Sequence, residues 1–177
     1  MDLPKRKPNR LPDFDYSTPG YYFITVCTHK KRKILCDIVG EGLCALPSVK
    51  LTSIGKRVDE AIHYINTNKG IIVDKYVIMP NHIHLIVAIQ ADEHFGSTGG
   101  RGDPPLQVCD VIGRMKSFTD RQYEGTLWQR SFHDHIIRNE QDYLKIWTYI
   151  DGNPARWRED CFYTEETDEQ RSLLQSF

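Results

Sequence analysis

Apolar and polar positions alternate with period two along YYFITVCTH, where Tyr22, Ile24 and Val26 share one face and Tyr21, Phe23 and Thr25 the other. Coming after Pro19 and Gly20, this run predicts a first, sheet-anchoring strand. The period then changes. In LTSIGKRVDEAIHYINTNKG, residues Leu51, Ile54, Val58, Ala61, Ile62 and Ile65 recur at helical spacing, and Gly70 offers a stop. Residues between these two elements read as a less regular segment. Two strands follow, IIVDKYVIM and HIHLIVAI, joined by a tight Pro80-Asn81 turn. Helical spacing returns through Val108, Val111, Ile112, Met115 and Phe118, a fourth strand falls within LWQRSFHDHII, and Asn139 caps a last helix. The order contains β-α-β-β-α-β with an added terminal helix, which predicts an α+β, ferredoxin-like sandwich.

A length of 177 residues suits one domain with extensions, and 40% hydrophobic residues suffice for a core. Residues 1–19 read as a basic arm, 20–157 as the folded domain with a polar, glycine-rich loop at 91–105, and 158–177 as an acidic tail. The formal net charge of −1 excludes a chain that is positive everywhere, yet it conceals two unlike ends. Residues 1–35 hold eight Lys/Arg against three Asp, while 158–177 hold two Arg against six acids. No stretch has the roughly 18 apolar residues of a membrane span, and the N-terminus lacks the apolar core of an export signal. Five scattered cysteines, Cys27, Cys36, Cys44, Cys109 and Cys161, lack zinc-knuckle spacing and fit a reduced cytosol. The expected location is therefore cytoplasmic.

Candidate chemistry centres on HIH. Strand alternation puts His82 and His84 on one face, about 6.6 Å apart along the backbone, so both imidazoles can turn to one cation. Two histidines alone equally suit an ordinary strand. Elsewhere Arg114, Lys116 and Arg121 are interleaved with Phe118 and Tyr123, and Arg130 with Trp128 and Phe132. Cations for phosphates and aromatics for bases suit a single strand better than a duplex. Lys5, Arg6, Lys7 and Arg10 form a further basic cluster in the arm, and residues 30–33 another. A solubilising surface is the plain alternative for each.

Several blocks together carry a resemblance: YYFITVCTHKKRKIL, LTSIGKRV, YVIMPNHIHLIV, IGRMKSFT, LWQRSFHDHIIRNEQDY and YIDGNPARW, spanning about residues 20–157. They resemble the REP-associated tyrosine transposases, within the IS200-like group of HUH single-strand DNA transposases. The resemblance implies a ferredoxin-like catalytic domain, Mg²⁺ or Mn²⁺, a structured, repeat-associated DNA hairpin as partner, and cleavage and rejoining through a 5′-phosphotyrosyl intermediate in support of transposition. Under it, Tyr149 matches the nucleophile, His82 and His84 the paired metal ligands, and Asn153 an additional polar ligand from the same helix. The resembling branch acts as a monomer, although relatives form dimers that exchange the catalytic helix.

Each residue also has a structural reading. Tyr149 fits among the packing residues Tyr143, Ile146, Trp147 and Ile150, Asn153 can shape the turn before Pro154, and Asn81 the turn before HIH. Tyr123 is the runner-up nucleophile. The competing function is a single-stranded DNA or RNA binding module, or a structural DNA adaptor, without catalysis.

Overall fold

A computed structural model describes residues 14–40, 47–67, 70–90, 107–121 and 123–164. The arm residues Lys5, Arg6, Lys7 and Arg10 and the 91–105 loop lie outside these described residues. Among the described residues six strands and three α-helices follow in the order β1 (Gly20–Cys27), β2 (Cys36–Val39), β3 (Ser48–Leu51), α1 (Ser53–Ile65), β4 (Ile71–Met79), β5 (His82–Ile89), α2 (Val108–Asp120), β6 (His133–Ile137) and α3 (Glu140–Gly152). The main sheet runs β4-β5-β1-β6, antiparallel throughout. Among its own four strands the sequence order is 2-3-1-4, the arrangement of a ferredoxin-like sandwich, as the hydrophobic pattern predicted.

Alternation on the two central strands divides the interior. Tyr22, Ile24 and Val26 of β1 and Ile83, Leu85 and Val87 of β5 join Val58, Ile62, Val111, Ile112 and Met115 in the larger core beneath α1 and α2. The opposite face carries a smaller cluster, in which Ile86 and Ile137 meet Ile146 and Ile150 of α3. Each fully buried aliphatic side chain contributes about 1.5–3 kcal/mol, so α3 is held by far less apolar burial than α1 or α2. Polar ties supplement it: Lys75 pairs with Asp151 at 2.5 Å, and the Tyr143 hydroxyl donates to Asp74.

Three local expectations need correction. Residues 36–50 are not irregular throughout, because β2 and β3 pair as a two-stranded antiparallel sheet. Leu51 therefore ends a strand, and α1 starts at Ser53, where the Thr52 hydroxyl accepts from the Gly55 amide. Gly55 is required at that point: a Cβ there would lie 1.9 Å from the Leu35 carbonyl oxygen. Phe118 does not continue the buried stripe of α2 but is 43% exposed. Thr119 lies inside instead, its hydroxyl accepting from the Trp128 indole at 2.7 Å. No described helix is long and apolar enough to cross a membrane.

Candidate functional site

The two-residue turn Pro80-Asn81 reverses β4 into β5, pairing Met79 with His82 and Val77 with His84. On the other side β1 sets Cys27 opposite His82 and Thr25 opposite His84. Both imidazoles thus sit in the middle of a sheet, on the face that α3 covers, and their Nε2 atoms come within 3.0 Å of each other. The rings are 0% and 1% exposed.

Their outer nitrogens are held by partners that decide where the hydrogens lie. Asn81, fully buried, donates from Nδ2 to the Phe162 carbonyl at 2.9 Å, so its Oδ1 faces Nδ1 of His82 at 2.8 Å. A carbonyl oxygen only accepts, hence His82 carries its proton on Nδ1 and leaves a lone pair on Nε2. Nδ1 of His84 meets the Thr25 hydroxyl at 2.8 Å, which can accept from it and leave the second Nε2 bare as well. Burial pushes His82 down to about 4, with Asp160 opposing, and His84 down to about 3, with the neighbouring His82 adding to the effect. Both rings are neutral near pH 7.

The third member of the cluster comes from the segment after α3. Chain reversal at the 3₁₀ turn Pro154–Glu159 returns Asp160 to the histidines, and one ligand atom from each of His82, His84 and Asp160 lies within 4.8 Å of the other two. Tyr149, 40% exposed on α3, donates to Oδ2 of Asp160 at 2.9 Å and places its oxygen 3.2 Å from His84 Nε2. Asn153 donates to the same Oδ2 at 2.7 Å, while its own Oδ1 is buried without a hydrogen-bond partner. Burial and the Asp160 hydrogen bond raise the Tyr149 phenol above its ordinary value. Burial opposes ionisation of Asp160, yet hydrogen bonds from the Phe162 amide and Asn153 and the nearby His82 hold its carboxyl below the usual range. Phe162 lies across the imidazoles, its ring centre 4.8 Å from that of His82 and 5.9 Å from that of His84.

A divalent cation fits this donor set. Two facing imidazole lone pairs repel unless a positive charge stands near them, and a carboxylate and an unsatisfied amide oxygen are adjacent. In the sequence Asp160 stands out only as one acid of the 158–177 tail, with no local period to mark it.

The remaining predicted residues separate. Tyr123 packs at the large core on the far face of the sheet, its hydroxyl accepting from Arg32 at 2.8 Å. It does not join the histidines. Lys116 turns inward, donating to the carbonyls of Gln129 and Ser131 at 2.8 and 2.9 Å, and burial pushes it down to about 8. Arg114, Arg121 and Arg130 are exposed. His133 shares the cross-strand row of Thr25 and His84, whereas His135 pairs with Asp142 at 2.7 Å and ties β6 to the first turn of α3.

Fold and site define an α+β domain that brings a histidine pair, a carboxylate and a tyrosine together. No family model matches the chain. An uncharacterized protein of Haemophilus influenzae is 29% identical to it over 90% of this chain and 94% of its own length. The REP-associated tyrosine transposase of Escherichia coli is 25% identical over 80% of this chain and 70% of its own length. In fold, a REP-associated tyrosine transposase solved with a REP hairpin matches 89% of this chain and 74% of its own, with TM-score 0.55 and 21% identity. The chain is thus similar in sequence to proteins named REP-associated tyrosine transposases, consistent with the IS200-like resemblance of its motifs.

Proposed function

We propose that the chain cleaves and rejoins structured, repeat-associated single-stranded DNA in support of transposition, with Tyr149 as nucleophile. The observation that carries this reading is the meeting of the Tyr149 hydroxyl with His84 and Asp160, at 3.2 and 2.9 Å. In the forward step the Tyr149 oxygen bonds to phosphorus and the P–O3′ bond breaks. The phenolic proton is released, and the departing oxygen ends as a 3′-hydroxyl. DNA is left as a 5′-phosphotyrosyl ester, and rejoining reverses the exchange.

His82, His84 and Asp160 would hold the cation, Mg²⁺ or Mn²⁺, with the spare oxygen of Asn153 beside them. When bound, the cation stabilises negative charge at phosphorus. The chain's own contribution is orientation. Asp160 directs the phenolic hydrogen away from His84, Asn153 fixes that carboxylate, and Thr25 and Asn81 fix the rings. The alignment of reacting groups is where such sites gain much of their rate.

The work falls to residues 20–157 together with Asp160. We infer a monomer acting on DNA in the cytoplasm, since Tyr149 reaches the histidines of its own chain. The arm cations Lys5, Arg6, Lys7 and Arg10, with Arg114, Arg121 and Arg130, would contact phosphates. A panel of 3′-labelled hairpins incubated with the protein and Mn²⁺ tests the reading. A denaturation-resistant labelled adduct, mapped to the Tyr149 peptide, is expected. Reversible binding with no adduct on any hairpin would favour the binding module, and an adduct on Tyr123 would displace Tyr149.

A further inference from the structure

On the sheet face away from the histidines, α1 and α2 leave between them a groove of about 620 Å³. Small side chains open it: Ala61 lines one wall, and a Cβ placed on Gly113 would meet nothing within 4 Å. Two rings stand over this space, Tyr64 from α1 and Phe118 from α2, 67% and 43% exposed. Arg114, Phe118 and Arg121 are spaced four and three residues apart, so one stripe of α2 continued by its C-cap residue Arg121 presents a ring between two guanidinium groups. Neither arginine has an ion-pair partner among the described residues. Among the described residues Asp110 is the one acidic side chain in the lining.

We infer that this groove binds an unstacked nucleotide of a single-stranded nucleic acid, with the base against Phe118 and Tyr64 and the flanking phosphates on Arg114 and Arg121. Aromatic walls favour a flat, polarisable ring, and paired cations favour its repeating anion. An aliphatic ligand would leave the guanidinium groups without counter-charge. An acidic peptide would meet the charges but bring no ring for the slot. A duplex keeps its base faces stacked on each other. The inference rests on the nucleic-acid reading above and is independent of the tyrosine chemistry.

Fluorescence anisotropy of the full chain in EDTA, where cleavage has no divalent cation, tests it with a labelled single-stranded oligothymidylate and a duplex control. Phe118→Ala and the pair Arg114→Gln/Arg121→Gln change exposed side chains, and circular dichroism checks that each variant is folded. Each is expected to weaken single-strand binding by about tenfold while changing duplex binding little. The double variant should also reduce the salt slope by about 1.4, at about 0.7 per phosphate. A strand carrying 5-iododeoxyuridine should crosslink to the peptide holding Tyr64 or Phe118. Unchanged affinity and slope, or crosslinks confined to other peptides, would overturn the proposal, as would displacement of an acidic peptide from the groove with no crosslink there. Failure to form a tyrosyl adduct would leave these readings as they stand.

Discussion

Tyr149 and His84 stand 65 positions apart in the sequence and 3.2 Å apart in space. One belongs to a helix held by a thin apolar cluster and the other to the centre of a sheet. The phenolic hydrogen points to Asp160, so the histidine faces a tyrosine oxygen whose proton is already directed elsewhere. Replacing Tyr149 by Phe removes that oxygen and keeps the ring. Adduct formation on a 3′-labelled hairpin should fall to background, while the melting temperature changes by only a few degrees, as expected for about 1 kcal/mol of hydrogen bonding. Residual adduct at the wild-type level would remove Tyr149 from the reaction.

Asp160 and Asn153 have separable roles. Asp160→Asn should weaken Mn²⁺ binding by more than tenfold, because a charged ligand is lost from between two neutral imidazoles. Asn153→Ala should cost less, since it removes a hydrogen bond to Asp160 and one spare oxygen. Isothermal titration of both variants orders the two effects, and a larger loss for Asn153→Ala would exchange their roles.

Asn81 acts through His82. With Asn81→Ala, Nδ1 of His82 loses its acceptor, the ring can shift its proton to Nε2, and Mn²⁺ affinity should fall about 10–100-fold. Ring-nitrogen NMR of the metal-free protein reads the tautomer directly. An unchanged Nδ1–H signal together with unchanged affinity would limit Asn81 to turn formation.

The metal-free protein should lose stability in mild acid. Folded-state values of about 4 for His82 and about 3 for His84 lie below the ordinary 6.5, so the unfolded chain binds more protons between them. Stability is then complete above about pH 6.5 and declines as pH falls toward the folded values. Thermal melts in EDTA should drop by roughly 5–15 °C between pH 7 and pH 5. A flat profile would mean that the rings protonate without leaving their seats.

Gly55→Ala probes the scaffold alone. Its methyl group would meet the Leu35 carbonyl at 1.9 Å, so the first turn of α1 must move. A loss of about 1–3 kcal/mol, read by urea unfolding, is expected.

Period and capping made most of this architecture legible. Alternation in HIHLIVAI assigned the two faces of β5, and Asn139 does cap α3, accepting from the Asp142 amide at 2.9 Å. What escaped has physical causes. β2 and β3 are four residues each, too short for an alternating pattern to stand out from a loop. Phe118 fits the helical period yet falls beyond the reach of the core, and a threonine with local hydrogen-bond partners takes the inward place. Asp160 reaches the site through a chain reversal after Pro154, and its sequence neighbours gave only a sign of charge. The resemblance pointed to Asn153. Spacing alone gave no reason to look seven residues further on.

Both halves of the Asn81 amide are committed, one to the His82 ring and one to the carbonyl of Phe162. A molecule that displaces the main chain at Phe162, and does not merely turn its ring aside, strips a buried donor of its acceptor, at a cost of about 1–3 kcal/mol unless it brings a replacement. Phosphate oxygens and base carbonyls are such replacements, and hydrocarbon is not. One asparagine thus couples the setting of the His82 ring to the position of the chain at Phe162, so that moving that chain costs less for an oxygen-bearing molecule than for hydrocarbon.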